Sequence, residues 1–272
     1  MPVIAFIGAG HMGGALIGGL IASGHQPSHI WASCPSNLHL NPLQENYGIH
    51  ITHDNVACVS QAEVLILAVT PQKIPRVLTE ISAQVQQTRP LIISIAAGIE
   101  EQTLEKALGG QFAIIRAMPN TPALIRYGAT ALYANAAVSV QHKLLAELIF
   151  NAVGTCVWLN QEHEMFTATA LSGSGPAYFF LLMQALEEIA VQLGLPPSIT
   201  NPLLLQTAVG SAKMAMICQQ DAAVLAKQAA SPGGGTEQAL KVLEEMNFRQ
   251  IVGKAVAAAK KRYEELAEIS VE

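Results

Sequence analysis

Short apolar runs recur through the first 160 residues of the chain, and a glycine, a proline or a polar residue ends most of them. The first run covers residues 3–7 and stops at Gly8. Uninterrupted apolar runs of this length are typical of strands that a parallel sheet buries on both faces. Six later runs have the same character and predict further strands: 30–33, 64–69, 91–95, 113–117, 129–133 and 156–159.

Segments of helical length lie between these runs, at residues 15–23, 74–86, 103–108 and 141–153. Strands that alternate with helices predict an α/β fold with a Rossmann-type, doubly wound sheet. From residue 161 onward no strand pattern occurs, and the apolar spacing predicts helices over 164–170, 176–193, 197–219, 222–229, 236–246 and 248–269. The sequence therefore predicts a sheet domain over residues 1–160 and an all-α C-terminal domain over residues 161–272.

Composition narrows the class of protein. Of 272 residues, 51% are hydrophobic and only 13% are charged, with a formal net charge of −5. A chain this apolar is not disordered, and its acidic balance disfavours a nucleic-acid partner. So few charges on so apolar a chain indicate a large apolar interface and a homo-oligomer. The mean hydropathy of +0.34 raises the alternative of membrane association, but no basic amphipathic face supports it.

The first 24 residues carry no formal charge, yet they do not read as a signal peptide or a membrane span. They lack a basic start, and seven glycines interrupt the apolar stretch. We therefore expect a cytoplasmic protein. The four cysteines form no C-x-x-C pair and have no cluster of histidines beside them, which predicts reduced thiols and no metal site.

Residues 8–13, Gly-Ala-Gly-His-Met-Gly, fit the pattern G-x-G-x-x-G between the first strand and the first helix. In this pattern the first glycine makes a tight turn, the second lets the backbone approach a pyrophosphate, and the third lets helix and strand pack closely. Unpaired N–H groups and the dipole at the helix N-terminus attract the pyrophosphate. The motif predicts that residues 1–160 form a dinucleotide-binding domain.

The end of the second strand bears on the choice of dinucleotide. NAD sites usually place Asp or Glu there, against the ribose hydroxyls, whereas this chain has Ser33 followed by Cys34. The missing carboxylate favours NADP, and the missing arginine leaves the use of both cofactors open. The loops after later strands, at 68–71, 96–98 and 118–122, are expected to line the same crevice.

Two glycine-rich segments precede long helices in the second domain. Residues 171–178, Leu-Ser-Gly-Ser-Gly-Pro-Ala-Tyr, place Pro176 at a first helical position and Ser174 at an N-cap. Backbone N–H groups and two hydroxyls would converge there, which predicts a pocket for a carboxylate. Residues 231–236, Ser-Pro-Gly-Gly-Gly-Thr, repeat the arrangement and place Thr236 at an N-cap or in a first turn. Three consecutive glycines cost backbone entropy, which favours binding over a purely structural role.

The chain shows no Ser-His-Asp order, metal triad or Walker loop. Oxidation of a hydroxy acid needs a His or Lys to exchange the alcohol proton, and the helix predicted over 176–193 contains neither. An imine substrate tolerates such a site, because its nitrogen is basic and can arrive already protonated.

Six segments together resemble the pyrroline-5-carboxylate reductase family: G-A-G-x-M-G at 8–13, A-V-x-P at 68–71, A-A-G at 96–98, R-x-M-P-N-T-P at 116–122, L-S-G-S-G-P-A-Y at 171–178 and S-P-G-G-x-T at 231–236. The resemblance covers essentially the whole chain. It implies reduction of Δ1-pyrroline-5-carboxylate to L-proline, the last step of proline biosynthesis, by hydride transfer from NADPH, or NADH, to the ring C=N carbon. It also implies that residues 161–272 bind substrate and form homodimers, often assembled into decamers.

The resemblance also implies roles for individual residues. Thr236 would hydrogen-bond the ring nitrogen as the catalytic residue, with either its hydroxyl or a water delivering the proton. The substrate would be held by Ser172, Gly173, Ser174, Gly175, Pro176, Ala177, Gly234 and Gly235. The cofactor would be held by Gly8, Ala9, Gly10, His11, Met12, Gly13, Ser33, Asn55, Ala68, Val69, Thr70, Pro71, Ala96, Ala97, Gly98 and Asn120.

Two positions depart from the family pattern. Thr70 stands where the family usually has Lys, and Ser33-Cys34 stands where many bacterial members have Asn-Arg. Both weaken a strict preference for NADP. Two alternatives stay open: another imine or β-hydroxyacid reductase of this architecture, and a dinucleotide-binding sensor without enzyme activity. A β-hydroxyacid enzyme would need a lysine on the first long helix of the second domain, and a sensor would be expected to lose the pocket segments.

Overall fold

An eight-stranded sheet forms the centre of the N-terminal part of the protein. The structure, a computed structural model, describes residues 1–269. The strands are β1 Ile4–Ile7, β2 Ile30–Ser33, β3 His50–Thr52, β4 Val64–Leu67, β5 Leu91–Ser94, β6 Ile114–Met118, β7 Gly128–Ala134 and β8 Gly154–Trp158. Their order across the sheet is β3-β2-β1-β4-β5-β6-β7-β8. The first six strands run parallel, β7 runs antiparallel to β6, and β8 is parallel to β7.

Helices separate the strands and cover both faces of the sheet. They are α1 His11–Ala22, α2 Asn37–Tyr47, α3 Asn55–Val59, α4 Ile74–Thr88, α5 Glu101–Leu108, α6 Val140–Asn151 and α7 Glu164–Ala168. Alternate residues of one strand serve the two faces: Ile4 and Phe6 of β1 belong to one apolar core, Ala5 and Ile7 to the other. Burial on both faces explains why these strands are continuously apolar.

The remaining helices are α8 Gly175–Gln192, α9 Pro197–Cys218, α10 Ala222–Gln228, α11 Gly235–Glu245 and α12 Phe248–Ile269, and a π-type turn, Thr169–Gly173, precedes α8. By packing, the chain forms two compact units. One comprises Met1–Pro176 and the segment that begins at Ala258, and the other comprises Ala177–Ala257. The packing of these units does not test which residues bind cofactor or substrate. The division of roles between residues 1–160 and 161–272 therefore stays a prediction.

The predicted fold class, a Rossmann-type sheet followed by helices alone, is confirmed. All seven predicted strands are present, with ends that differ from the prediction by at most two residues. Strand β3 was not predicted, because its three residues, His-Ile-Thr, lack an apolar run. No helix within residues 1–269 is both long and apolar enough to cross a bilayer.

Candidate functional site

The glycine motif lies where the order of the strands reverses, between β1 and its neighbours β2 and β4. Gly8 ends β1 with a φ of +98°, and a Cβ there would lie 2.5 Å from the carbonyl oxygen of Ala68. A Cβ on Gly13 would lie 2.6 Å from the carbonyl oxygen of Gly8, so helix α1 could not pack this closely on the strand. The fold itself therefore requires both of these glycines.

Gly10 is different, because the fold leaves space around it. It caps the N-terminus of α1 with a φ of −70° and a ψ of −166°, which any L residue adopts. A Cβ on Gly10 would meet nothing within 4 Å. The bare backbone at Gly10 thus opens a cradle at the N-terminus of a twelve-residue helix. This geometry fits a pyrophosphate, which needs close backbone approach and free N–H groups.

A cavity of about 490 Å³ opens beside this loop. Its walls come from the ends of the four neighbouring strands β3, β2, β1 and β4 and from the starts of the helices that follow them. The lining residues include Gly8, Ala9, Gly10, Cys34, Pro35, His39, His53, Asn55, Ala68, Val69, Thr70, Lys73, Arg76 and Glu80. This volume lies within the range of small-molecule and cofactor sites, and the place is the one where open α/β sheets bind their ligands.

Ser33 does not present its hydroxyl to this cavity. Its side chain is buried, with 1% of the residue exposed, and the hydroxyl donates to Oδ1 of Asn55 at 2.6 Å. The Nδ2 of Asn55 in turn donates to Oε2 of Glu80 at 3.0 Å. Ser33 therefore holds Asn55, and Asn55 rather than Ser33 lines the cavity.

Two cations that the sequence reasoning missed lie at this cavity. Lys73 ends the 3₁₀ turn after β4, and Arg76 lies in the first turn of α4. Neither is ion-paired within the part of the chain that the structure describes. A signal for them was present, because both follow the loop at 68–71 that was expected to line the crevice. An arginine for the cofactor was expected only at the end of β2, so Lys73 and Arg76 were not predicted.

Of the other proposed cofactor residues, Ala9 lies within the glycine loop and is buried. His11 begins α1 and is exposed, with its ring centroid 6.5 Å from that of His39. Met12 packs against the apolar core. Thr70 is exposed and precedes Pro71 at the start of the 3₁₀ turn.

The loop at residues 96–98 follows β5 and lies near the end of β6. Gly98 has a φ of +76°, which favours glycine, and Ala96 is buried. Asn120, at the end of β6, is buried and uses both ends of its amide: Nδ2 donates to the carbonyl of Ser172 at 2.9 Å, and Oδ1 accepts from the N–H of Ala129 at 2.8 Å. Asn120 thus ties the segment at 171–178 to the sheet.

The segment at 171–178 does not form the capped helix start that was predicted. The π-type turn Thr169–Gly173 runs into α8, and the N–H of Ser174 donates to the carbonyl of Thr169 at 3.0 Å. The expectation that Ser174 acts as an N-cap was wrong, since its backbone is helical and its hydroxyl lies 2.9 Å from the hydroxyl of Tyr263 on α12. The hydroxyl of Ser172 donates to the carbonyl of Ala168 at 2.8 Å. Gly175 begins α8, followed by Pro176 and Ala177.

Thr236 lies in the first turn of α11, as the sequence predicted. Gly234 caps this helix in an extended conformation, Gly235 begins it, and the N–H of Gly233 donates to Oε2 of Glu237 at 2.8 Å. Thr236 is exposed, and its hydroxyl makes no hydrogen bond within residues 1–269. The hydroxyl is therefore available to a ligand.

Arg116, which lies near the loop at 96–98, forms an ion pair with Glu162. Arg116 on β6 is buried, and its Nη1 lies 2.7 Å from Oε1 of Glu162. The same oxygen accepts from the N–H of Glu101 at 2.8 Å. Burial raises the pKa of Glu101, and the charges of Glu162 and Glu105 raise it further, while Arg116 opposes them. Within residues 1–269 no group of three His, Cys, Asp or Glu side chains could hold a metal ion.

The strand order, the glycine cradle and the helical second half define a class: oxidoreductases with an N-terminal Rossmann-like domain and a helical C-terminal domain. Residues 3–98 match the family described as NADP oxidoreductase, coenzyme F420-dependent. Residues 162–266 match the family described as pyrroline-5-carboxylate reductase dimerisation. The second match shows that the chain self-associates.

Relatives extend the match to the full chain. The chain is 43% identical to the pyrroline-5-carboxylate reductase of Pseudomonas aeruginosa, over 98% of this chain and 97% of the relative. It superposes on a pyrroline-5-carboxylate reductase of Coxiella burnetii with a TM-score of 0.94 at 44% identity, and 98% of each chain is covered. The Plasmodium falciparum pyrroline carboxylate reductase with NADP bound gives a TM-score of 0.86 at 30% identity, again over 98% of each chain. This chain belongs to the pyrroline-5-carboxylate reductase family.

Proposed function

We propose that this protein reduces Δ1-pyrroline-5-carboxylate to L-proline with NADPH, and less readily with NADH. The observation that carries the proposal is the full-length relationship to reductases of this substrate, together with a glycine cradle at the strand-order reversal that fits a dinucleotide. When bound, NADPH supplies the hydride for the ring C=N carbon.

The cofactor residues divide by the part of the dinucleotide that they fit. Gly8 to Gly13 hold the pyrophosphate through backbone N–H groups at the start of α1. Asn55 lines the cavity beside the glycine loop, where we place the adenosine, and is held by Ser33. We assign the 2′-phosphate to Lys73 and Arg76, whose charges replace the arginine that is absent after β2. The other predicted contacts, at 68–71, at 96–98 and at Asn120, stay proposals.

The substrate residues provide hydrogen bonds without a formal charge. Residues 172–177 suit the substrate carboxylate, with Ser174 as the side-chain donor. Thr236, with Gly234 and Gly235 beside it, suits the ring nitrogen, because its hydroxyl is exposed and unpartnered within residues 1–269. Protonation of the imine makes the ring carbon a better hydride acceptor, so a donor held at the nitrogen favours the transition state.

The reaction is tested directly by following NADPH and NADH absorbance with Δ1-pyrroline-5-carboxylate and by measuring the proline formed. We expect turnover with both cofactors and a higher kcat/KM with NADPH. Normal NADPH binding without turnover would overturn the proposed reaction and favour another cyclic imine or a sensor. Turnover with NADH alone would overturn the assignment of Lys73 and Arg76.

The role of Thr236 is tested by removing its hydroxyl. We expect Thr236→Ala to lower kcat at least about tenfold, because general acid catalysis contributes factors of this size or more, while the Kd for NADPH stays the same. Thr236→Ser keeps the hydroxyl and is expected to recover most of the activity. An unchanged kcat in Thr236→Ala would assign the proton to a water.

We further propose a homodimer as the basic assembly, with decamers built from it, and a cytoplasmic location. The match to a dimerisation family supports the dimer, and the bacterial relatives support the location. Light scattering of the purified protein distinguishes a dimer from a decamer.

A further inference from the structure

The two serine hydroxyls of the segment at 171–178 are in different states. The hydroxyl of Ser172 donates to the carbonyl of Ala168, so its proton is engaged within the helix. The hydroxyl oxygen of Ser174 lies 2.9 Å from that of Tyr263, and either group can be the donor. Of the two serines, Ser174 is therefore the one whose hydroxyl proton can be directed to a ligand.

We propose that Tyr263 is a positioning residue for the substrate carboxylate and acts through Ser174. This inference rests on the proposed function, which assigns the carboxylate to Ser174. A hydroxyl has one proton and two acceptor lone pairs, so Ser174 can accept from Tyr263 and donate to a third group at the same time. A carboxylate only accepts, and it selects the arrangement in which Tyr263 donates to Ser174 and Ser174 donates to the carboxylate.

This order of donors strengthens the contact to the substrate. Hydrogen bonds in a chain polarise one another, and the last bond of this chain ends on a charged oxygen, which makes it short and strong. Tyr263 itself is half-buried.

Helix α12 is well placed to hold Tyr263 in position. Ala267, one turn beyond Tyr263, is buried. A Cβ on Gly98 would lie 3.5 Å from the backbone nitrogen of Ala267. The end of α12 therefore packs on the loop at 96–98 while it contacts Ser174. One stretch of helix touches both the loop proposed for the cofactor and the segment proposed for the substrate.

The experiment is a double-mutant cycle on the full-length protein with Tyr263→Phe and Ser174→Ala. Tyr263→Phe keeps the ring and removes the hydroxyl. We expect it to raise the KM for Δ1-pyrroline-5-carboxylate about three- to tenfold, the range of one neutral hydrogen bond, with kcat and the Kd for NADPH nearly unchanged. In the Ser174→Ala background, Tyr263→Phe is expected to have no further effect on KM.

A binding measurement accompanies the kinetics. Titration of the NADPH complex with L-proline, followed by NADPH fluorescence, is expected to show the same loss of affinity in Tyr263→Phe, because the product carries the same carboxylate. Tyr127→Phe, at a surface position, is the matched control, and circular dichroism checks that each variant is folded.

The outcomes separate this inference from the proposed function. If Tyr263→Phe raises KM equally in the wild-type and the Ser174→Ala backgrounds, Tyr263 acts on its own or only through packing. That result would overturn the inference. No effect of Tyr263→Phe in the wild-type background would overturn it as well. An unchanged KM in Ser174→Ala would instead overturn the assignment of the carboxylate to Ser174, and the inference with it, while the reaction itself would stand.

Discussion

Three glycines of the first loop show how a single residue can serve folding or binding. Gly8 and Gly13 lie where a Cβ would come within 2.6 Å of a backbone oxygen, and Gly8 also has a positive φ. Gly10 has neither constraint, because a Cβ there would enter open space. The glycine at position 10 is therefore explained by the ligand and not by the fold.

The contrast predicts opposite effects for two substitutions of the same size. We expect Gly10→Ala to change the free energy of unfolding by no more than about 0.5 kcal/mol, as for an unconstrained surface position, but to weaken NADPH binding at least about tenfold. Gly8→Ala, the matched control, is expected to lower stability by about 2 kcal/mol or more, through strain and collision. Thermal melts without cofactor and fluorescence titration with NADPH measure the two effects. An unchanged affinity for NADPH in Gly10→Ala would mean that the cofactor does not contact the backbone of Gly10.

The charges of Lys73 and Arg76 lead to a prediction about cofactor choice. We expect Arg76→Gln and Lys73→Gln each to weaken binding of 2′,5′-ADP about tenfold, since a hydrogen bond to a charged group contributes about 1.5–3 kcal/mol. Binding of 5′-AMP, which lacks the 2′-phosphate, is expected to stay the same. Isothermal titration with the two fragments measures this difference, and Lys106→Gln on α5 is the control. Equal losses for both fragments would place the two cations at another part of the nucleotide.

At the scale of the element, α5 begins with a carboxylate in an unfavourable environment. Glu101 is in the first turn, and its Oε2 is buried without a hydrogen-bond partner within residues 1–269. Its pKa is raised, chiefly by burial and then by Glu162 and Glu105. Because the folded state holds this proton more tightly than the unfolded state, the stability from Glu101 is present below its unfolded pKa and is lost as the pH rises through its folded pKa.

The prediction is that Glu101→Gln stabilises the protein at pH 7, because the variant removes a carboxylate whose ionised form is disfavoured by burial and by the charges of Glu162 and Glu105. Below about pH 4 the two proteins are expected to melt at the same temperature, because Glu101 is then protonated in both the folded and the unfolded state. Thermal melts across this pH range measure the difference, with Glu45→Gln, at an exposed position on α2, as the control. A variant that is less stable than the wild type at pH 7 would contradict the prediction and would show that the carboxylate supports α5.

The strands and helices also show how much of the fold and of the site could be predicted from the sequence. Continuously apolar strands such as β4 are predictable, because burial on both faces fixes their composition. Helix α2 gave no clear pattern, since it contains Pro42 and is largely polar. The partner of Ser174 could not be predicted either. Tyr263 is 89 residues away in sequence, and only the tertiary fold brings the two hydroxyls together.

At the scale of the whole molecule, the unit Ala177–Ala257 lacks a core of its own. Within these residues, all of which the structure describes, Thr200 is the one buried residue. Large apolar side chains are exposed along its helices, among them Phe179, Phe180, Leu181, Leu203, Leu205, Val209, Met214 and Ile251. Burial of one such side chain stabilises by about 1.5–3 kcal/mol, so helices that leave this many exposed need a partner surface. We infer that a second copy supplies that surface, in agreement with the self-association that the family match shows.

This argument predicts that folding and association of the helical unit are linked. The thermal midpoint is expected to rise with protein concentration, because a dimer that buries the exposed apolar side chains of both copies is stabilised by mass action. Phe180→Glu places a charge in the apolar surface of each copy, so a symmetric dimer carries the substitution twice. We expect this variant to elute as a monomer and to lose helical circular dichroism at low concentration. Val140→Glu, at an equally exposed apolar position at the start of α6, is expected to leave the dimer intact. A Phe180→Glu variant that stays fully helical as a monomer would show that Ala177–Ala257 folds without a partner, and its exposed apolar side chains would then need another explanation.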